Sequence, residues 1–303
     1  GSGKLGNVEF ALASMQGWRV TMEDAHAHHL PTKNNKDLAF FGVFDGHGGD
    51  LAAIFAAKHV LTFIENSEAF DDIDENLDPE ILARAMMEGF IDCDEDMKEI
   101  PVCRSGQDFS GSTGVACFVT PEYIVVANTG DSRLAICQDS KVAFASMDHK
   151  PNDDRERQRV EQAGGIIADD RVNGDLASAR SFGDFRYKTD PNLPPSQQQI
   201  TVLPDCTILD RNAQDEFIVL ACDGIWDVMS NLECTRYILT ALKMGLSLQQ
   251  ACEMVLDECL RKSSGDNMSI MIISLDSVPA SVGTRKTLPT SDEIREKMVD
   301  SII

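Results

Sequence analysis

The sequence predicts an α+β protein in which two antiparallel sheets are covered by helices. Three observations carry that expectation: apolar runs punctuated by turn residues between Thr113 and Ser146, paired helical patterns on either side of them, and no internal repeat or low-complexity tract. With 303 residues, 43% of them apolar, the chain can bury a large core.

Val8–Met15 and the aromatic-rich run 38–44 read as strands. After Gly48-Gly49 the positions Leu51, Ile54, Phe55, His59 and 61–64 suit a helix. Pro79–Lys98 makes a second, with proline at the start, where its missing N–H costs nothing. The acidic stretch 71–75 between them reads as a solvated loop. Runs at 113–119, 123–127 and 133–137, split by Thr120-Pro121-Glu122 and Thr129-Gly130-Asp131, form a β-meander that 142–146 continues. A charged helix over 153–162 ends at Gly164-Gly165, and 166–196 mixes glycine, proline and charge without a period, as an irregular insertion. A strand at 216–222, helices at 232–244 and 248–260, and a strand at 268–275 complete the unit. Beyond it 278–288 reads as flexible, and Thr290 with Glu293 makes a capping box before Ile294, Met298 and Ile302, the mark of a short docked or partner-binding helix.

Composition narrows the function. The 27 basic against 50 acidic residues give a formal charge of -23, which opposes binding to nucleic acid and to anionic membranes. No run reaches the ~18 apolar residues of a membrane span, and the start lacks a secretory pattern. Nine cysteines lie scattered through apolar stretches without a C-x-x-C pair, so reduced, buried thiols are expected. The triplet Asn267-Met268-Ser269 matches a glycosylation site in a context that is not secretory.

The chemistry gathers at strand ends. The 40–44 run leads into Asp45-Gly46-His47-Gly48-Gly49 and the 216–221 run into Asp223-Gly224; Gly265-Asp266-Asn267 precedes the last strand, and residues 16–24, ending in Glu23-Asp24, follow the first. Taken singly, each Asp-Gly pair reads most simply as a turn. If several converge, two carboxylates at ~4 Å repel by about 4 kcal/mol at an effective dielectric of 20, and cations must compensate. All-oxygen ligands favour Mg²⁺ or Mn²⁺ over zinc. The glycines after Asp45 lack the lysine and spacing of a phosphate-binding P-loop.

Read in order, the motifs MQGWR at 15–19, MEDAH at 22–26, FGVFDGHGG at 41–49, SGSTGVA at 110–116, ANTGDSR at 127–133, DHKP at 148–151, RVNG at 171–174, LACDGIWDVM at 220–229 and GDNMS at 265–269 resemble the type 2C metal-dependent protein phosphatases. The resemblance covers residues 8 to 275. It implies a four-layer α-β-β-α sandwich of two antiparallel sheets flanked by helices, with a phosphatase domain over 8–276 and a flap insertion at about 148–200. Outside it, Gly1-Ser2-Gly3 reads as a cloning scar in an N-terminal lead at 1–7, and 277–303 as a C-terminal tail with a short helix. It also implies hydrolysis of phosphoserine and phosphothreonine in proteins by two Mg²⁺ or Mn²⁺ ions. Asp45 would bridge them, Glu23 and the Gly46 carbonyl would complete one site, and Asp223 with Asp266 the other. Asp131 and Asp227, with Asp223, resemble a weaker third site. Asp24 and Asn267 would support the ligands from behind. Water acidified between the ions would attack phosphorus, Arg19 would grip phosphate oxygens with its planar fork, and His47 would protonate the departing oxygen.

The chain departs from the commoner family pattern at Ser178-Ala179-Arg180-Ser181-Phe182-Gly183-Asp184, where Ser181-Phe182 replaces small aliphatic residues, and its segment after the last strand is short. His26, His28 and His29 read as a polar strand face rather than a metal cluster. Trp18 and Trp226 are expected to pack beneath the site, and Ser112 and Thr113 to support the core. None of the cysteines has arginine six positions on, so a cysteine phosphatase is excluded, and Asp92-Cys93-Asp94 reads as a solvated helix face. The rival reading is an inactive relative that uses the fold as a scaffold or binding module. Phosphorylated proteins are the expected partners and a monomer the expected state. Cytoplasmic or nuclear residence is expected, with a lipid anchor on a missing native N-terminus still open.

Overall fold

The strands and helices fall close to where the hydrophobic periods put them. The computed structural model describes residues 2–5, 8–32, 35, 37–73, 77–275 and 291–300. Along the chain come β1 (Ser2–Leu5), β2 (Val8–Met15), β3 (Ala25–His29), β4 (Ala39–Phe44), the two-residue β5 (Gly46–His47), α1 (Leu51–Glu65), the single turn α2 (Glu68–Asp71), α3 (Pro79–Lys98) and the single turn α4 (Pro101–Arg104). Then follow β6 (Gly111–Ser112), β7 (Gly114–Val119), β8 (Tyr123–Thr129), β9 (Arg133–Gln138), β10 (Lys141–Ala145), α5 (Asp154–Gln162), β11 (Ile167–Ala168), β12 (Arg171–Val172) and β13 (Phe182–Gly183). The last elements are β14 (Asp205–Asp210), β15 (Asp215–Ala221), the single turn α6 (Asp223–Trp226), α7 (Asn231–Lys243), α8 (Leu248–Arg261), β16 (Met268–Ser274) and α9 (Ser291–Asp300).

Helix starts have local causes. Asp78 accepts a hydrogen bond from the Glu80 amide ahead of α3, with Pro79 in the first turn. Ser230 caps α7, and Ser247 with Gln250 closes a reciprocal capping box at α8.

The chain divides into two compact units. One is drawn from Gly1–Met22, Arg133–Ser146 and Arg211–Ile303. Its antiparallel sheet has the order β1-β2-β16-β15-β9-β10. Alternate residues Phe217, Val219, Ile270 and Ile272 pack with Tyr237 and Ile238 of α7 and Val255 of α8, and Ile294 of α9 joins them. Burial of each large apolar side chain contributes about 1.5–3 kcal/mol, an upper bound set by the extended reference chain.

The other unit is drawn from Glu23–Ser132 and Met147–Asp210. Its sheet runs β14-β8-β7-β4-β3, with α1 and α3 against one face around Phe40, Phe44, Ile64, Leu82, Phe90 and Phe118. A small sheet, β13-β6-β5, places Gly183 and His47 on opposite sides of Gly111. The α+β class with antiparallel sheets flanked by helices therefore holds.

Four expectations change. Residues 2–5, read as a lead, pair with β2 as an edge strand. β14 was not expected, because its short sequence carries a carboxylate at each end and only an edge position beside β8 makes it a strand. Asp94, read as solvated, is 3% exposed, since that face of α3 meets Gly183 and Lys188. The acidic stretch 71–75 begins inside a helical turn that ends at Asp71. Residues 278–288 and Thr290 lie outside the described residues.

The irregular segment is tied down by charge. Glu156 of α5 is buried and receives the Arg180 guanidinium at 2.6 Å, with Arg159 also paired to it, and Arg180 reaches on to Asp205 at 2.8 Å. Burial alone would raise the Glu156 carboxyl, but its hydrogen bonds from Arg180 and the charges of Arg159 and Arg180 outweigh that and hold it at about 2. Because this folded value lies below the ordinary 4.5, the group stabilises the fold above that value and loses the contribution as pH falls toward about 2. Acid unfolding followed by denaturant titration should show about 3 kcal/mol lost through this window. Glu156→Gln should be less stable at neutral pH by a similar amount and lack that segment of the pH curve; a curve identical to wild type would contradict this.

Candidate active site

In the second unit the site begins with strand register. Ala25 of β3 stands opposite Phe44 of β4, and the same antiparallel register carried onward sets Asp24 against Asp45 and Glu23 against Gly46. A Cβ on Gly46 would lie 2.3 Å from the Glu23 carbonyl oxygen, so only glycine permits this approach. The Glu23 side chain accepts a hydrogen bond from the Gly49 amide at 3.2 Å, and the Asp45 carbonyl accepts from the Thr113 amide at 2.9 Å. Glu23 and Asp24 thus face Asp45 and Gly46 across paired strand ends, all four residues half-buried.

His47 follows directly. Its Nε2 lies 2.7 Å from Asp184 Oδ2, which also accepts from the Ser181 hydroxyl at 2.6 Å. Asp184 is 1% exposed, and its other carboxylate oxygen is buried and has no hydrogen-bond partner among the described residues. Burial by itself would lower the His47 pKa, but the charge and hydrogen bond of Asp184, reinforced by Asp131 and Glu23, raise it. Asp184 is held in turn: the amide before it, on Gly183, donates to Asp94 at 2.7 Å, and Lys188 bridges Asp94 at 2.7 Å and the Ser181 carbonyl at 2.8 Å. In the sequence Asp184 stands out only as the end of a divergent segment. Nothing in local spacing ties it to His47, 137 residues away; the β13-β6-β5 pairing does.

The first unit holds Arg19, Asp223, Asp227, Asp266 and Asn267. β15 ends beside β16, and a Cβ on Gly224 would stand 2.0 Å from the Asn267 carbonyl oxygen, so glycine lets the Asp223 turn lie against the Asp266-Asn267 turn. Buried Asn267 donates to the Gln16 carbonyl at 2.8 Å and the Thr21 carbonyl at 2.9 Å, fixing both ends of the loop that carries Arg19. Arg19 Nη2 meets Asp266 Oδ2 at 2.6 Å, while the Asn267 amide donates to Asp266 Oδ1 at 2.7 Å. The Asp227 amide bonds the Asp223 carbonyl at 2.8 Å, and the Asp227 side chain is exposed.

These donor sets fit Mg²⁺ or Mn²⁺: hard carboxylate oxygens on turns, brought together at Gly46 by the absence of a side chain. Asp131 is buried and its carboxylate is met by the Lys150 ammonium at 2.5 Å, so an ion there would compete with an ammonium.

Other assignments divide. Trp18 does not pack beneath the site. It is 78% exposed, because Gln16 turns its amide onto the Arg19 and Val20 carbonyls and curls the loop outward. Trp226 is buried as expected, its indole donating to the Ala221 carbonyl at 2.8 Å. The Thr113 and Ser132 hydroxyls meet at 2.7 Å and Ser112 donates to the Thr113 carbonyl, structural roles for both predicted scaffold residues. His26 and His28 stack on the outer face of β3. All nine cysteines are free thiols, eight of them fully buried.

Comparison with known proteins gives the family. The sequence model of the family "Protein phosphatase 2C" matches residues 8–268. Protein phosphatase 1B of Rattus norvegicus is 39% identical over 278 residues, covering 90% of this chain and 71% of its own length. Protein phosphatase 1A of Mus musculus is 37% identical over 304 residues, covering 99% and 80%. In fold, the chain is similar to the crystal structure of serine-threonine phosphatase 2C from Toxoplasma gondii, with a TM-score of 0.75 at 24% identity, over 88% of this chain and 94% of that one. With register-set carboxylate turns, a histidine backed by a buried aspartate and relatives of this identity along nearly its whole length, the chain belongs to the protein phosphatase 2C family and is a protein phosphatase.

Proposed function

We propose that this enzyme hydrolyses phosphoserine and phosphothreonine in proteins, using Mg²⁺ or Mn²⁺ held by Glu23, Asp45 and the Gly46 carbonyl in one group and by Asp223 and Asp266 in the other. When bound, such ions acidify water and offset phosphate charge. The remaining work falls to side chains of the chain itself.

The observation that carries the reading is the His47–Asp184 pair, one residue beyond the Asp45-Gly46 turn. A serine or threonine alkoxide is a poor leaving group and needs a proton as the P–O bond breaks. Asp184 engages Nε2 of His47 and fixes the ring, so the opposite nitrogen is the one that faces substrate. Asp184 acts through His47 and touches no substrate; it is a positioning residue. Arg19 presents a planar fork suited to two phosphate oxygens, and Asp266 holds that fork by one of its nitrogens.

After chelation, the protein should release phosphate from a phosphothreonine peptide only when Mn²⁺ or Mg²⁺ is restored, and Asp223→Asn should lower the rate by at least about a hundredfold. Release by neither metal would move the reading to an inactive relative. His47→Asn and Asp184→Asn should both slow the peptide about tenfold or more beyond their effect on p-nitrophenyl phosphate, whose leaving group departs without a proton. Equal losses on the two substrates would show a merely structural role for the pair.

A further inference from the structure

The divergent segment 178–184 contributes a group that the proposed mechanism leaves unused, the hydroxyl of Ser181. It donates to Asp184 Oδ2 at 2.6 Å, and the same oxygen lies 2.7 Å from His47 Nε2. A carboxylate oxygen carries two lone pairs, so one can take the hydroxyl while the other takes the ring. Gly111 closes one side of the pair, because a Cβ there would overlap both Asp184 Oδ2 and His47 Nε2. The second oxygen, Oδ1, is buried and has no hydrogen-bond partner among the described residues. Among those residues, Ser181 is thus the one side chain besides the imidazole that holds the plane of this carboxylate.

The segment keeps that hydroxyl in place. Ser181 is fully buried, its amide donates to the Thr201 carbonyl at 3.1 Å, and its carbonyl accepts from Lys188 Nζ at 2.8 Å, so the backbone is fixed on both sides of the side chain. Gly183 and Asp184 both take positive φ, 68° and 51°, and this turn brings Asp184 back against a residue three positions earlier. The left-handed region is uncommon for a residue with a side chain, and here it is held from outside by Asp94, which accepts from the Gly183 amide at 2.7 Å.

We infer that Ser181 is a positioning residue for protonation of the leaving group: its hydroxyl fixes the Asp184 carboxylate, which fixes the His47 ring. Ser181 touches no substrate and acts through two side chains. The inference rests on the proposed role of His47 as proton donor. A small aliphatic residue, which the commoner family pattern has here, offers no such hydrogen bond, so the device is a feature of this chain.

The test assays the metal-loaded enzyme on a phosphothreonine peptide and on p-nitrophenyl phosphate. Ser181→Ala removes the donor, and Ser181→Cys fills nearly the same space with a weak one. Both variants should lose about tenfold in kcat on the peptide beyond any loss on p-nitrophenyl phosphate, with KM nearly unchanged. Added to Asp184→Asn, Ser181→Ala should cost nothing further, because the carboxylate it positions is already gone. Circular dichroism and thermal unfolding verify that the variants are folded. Wild-type selectivity between the two substrates in Ser181→Cys would show that the side chain merely fills space, and equal losses on both substrates, or no loss, would overturn the inference as well. His47→Asn separates the two readings. If it loses equally on both substrates, the proton-donor role falls and the positioning role with it; if it loses selectively while the Ser181 variants do not, the inference alone is overturned.

Discussion

Backbone lies directly on backbone at the two carboxylate turns, and the rest of the site depends on that contact. At Gly46 the Glu23 carbonyl occupies the space of a side chain, and at Gly224 the Asn267 carbonyl does the same. In each case a glycine at a strand end removes the one atom that would hold two acidic turns apart. The sheets supply the register and the glycines supply the approach, so acidic side chains gather at each turn, where a cation would offset their repulsion.

The surrounding charges share that logic. A chain with a formal charge of -23 repels a phosphate group over most of its surface, so the cations proposed to meet it must be placed one by one. Arg19 is set by a loop tied at both ends to Asn267, and His47 is set by a carboxylate in a buried network. The Asp94–Lys188 pair is the innermost member of that network. It links α3 to the backbone of Gly183 and so steadies the aspartate next in sequence. Burying an ion pair gives little net stability, but removing either partner strands a charge, which makes such a pair a sound means of fixing a loop.

Much of this was legible in the sequence where chemistry follows local order. Asp45, Gly46 and His47 lie at the end of an apolar run, and Asp223 and Asp266 lie at strand edges, so their placement follows from period and turn signals alone. What was illegible depended on distant pairing. Asp94 sits on a helix beside Asp92 and Glu95, and nothing in that acidic stretch says which carboxylate will meet a lysine from a segment 94 residues on. Asp184 reaches His47 only because two-residue strands pair across Gly111, and elements that short leave no periodic signal. Trp18 was misplaced for a related reason: an aromatic residue next to functional residues reads as packing, while its exposure is decided by the hydrogen bonds of Gln16.

If the close approach at Gly46 creates a divalent-cation site, Mn²⁺ affinity should depend on it. Titration calorimetry of chelated, folded protein should show at least about tenfold weaker Mn²⁺ binding in Gly46→Ala than in wild type, because the added methyl must push the Glu23 backbone away. Circular dichroism and thermal unfolding should confirm that the sheets persist. Wild-type affinity in a folded Gly46→Ala protein would contradict that dependence.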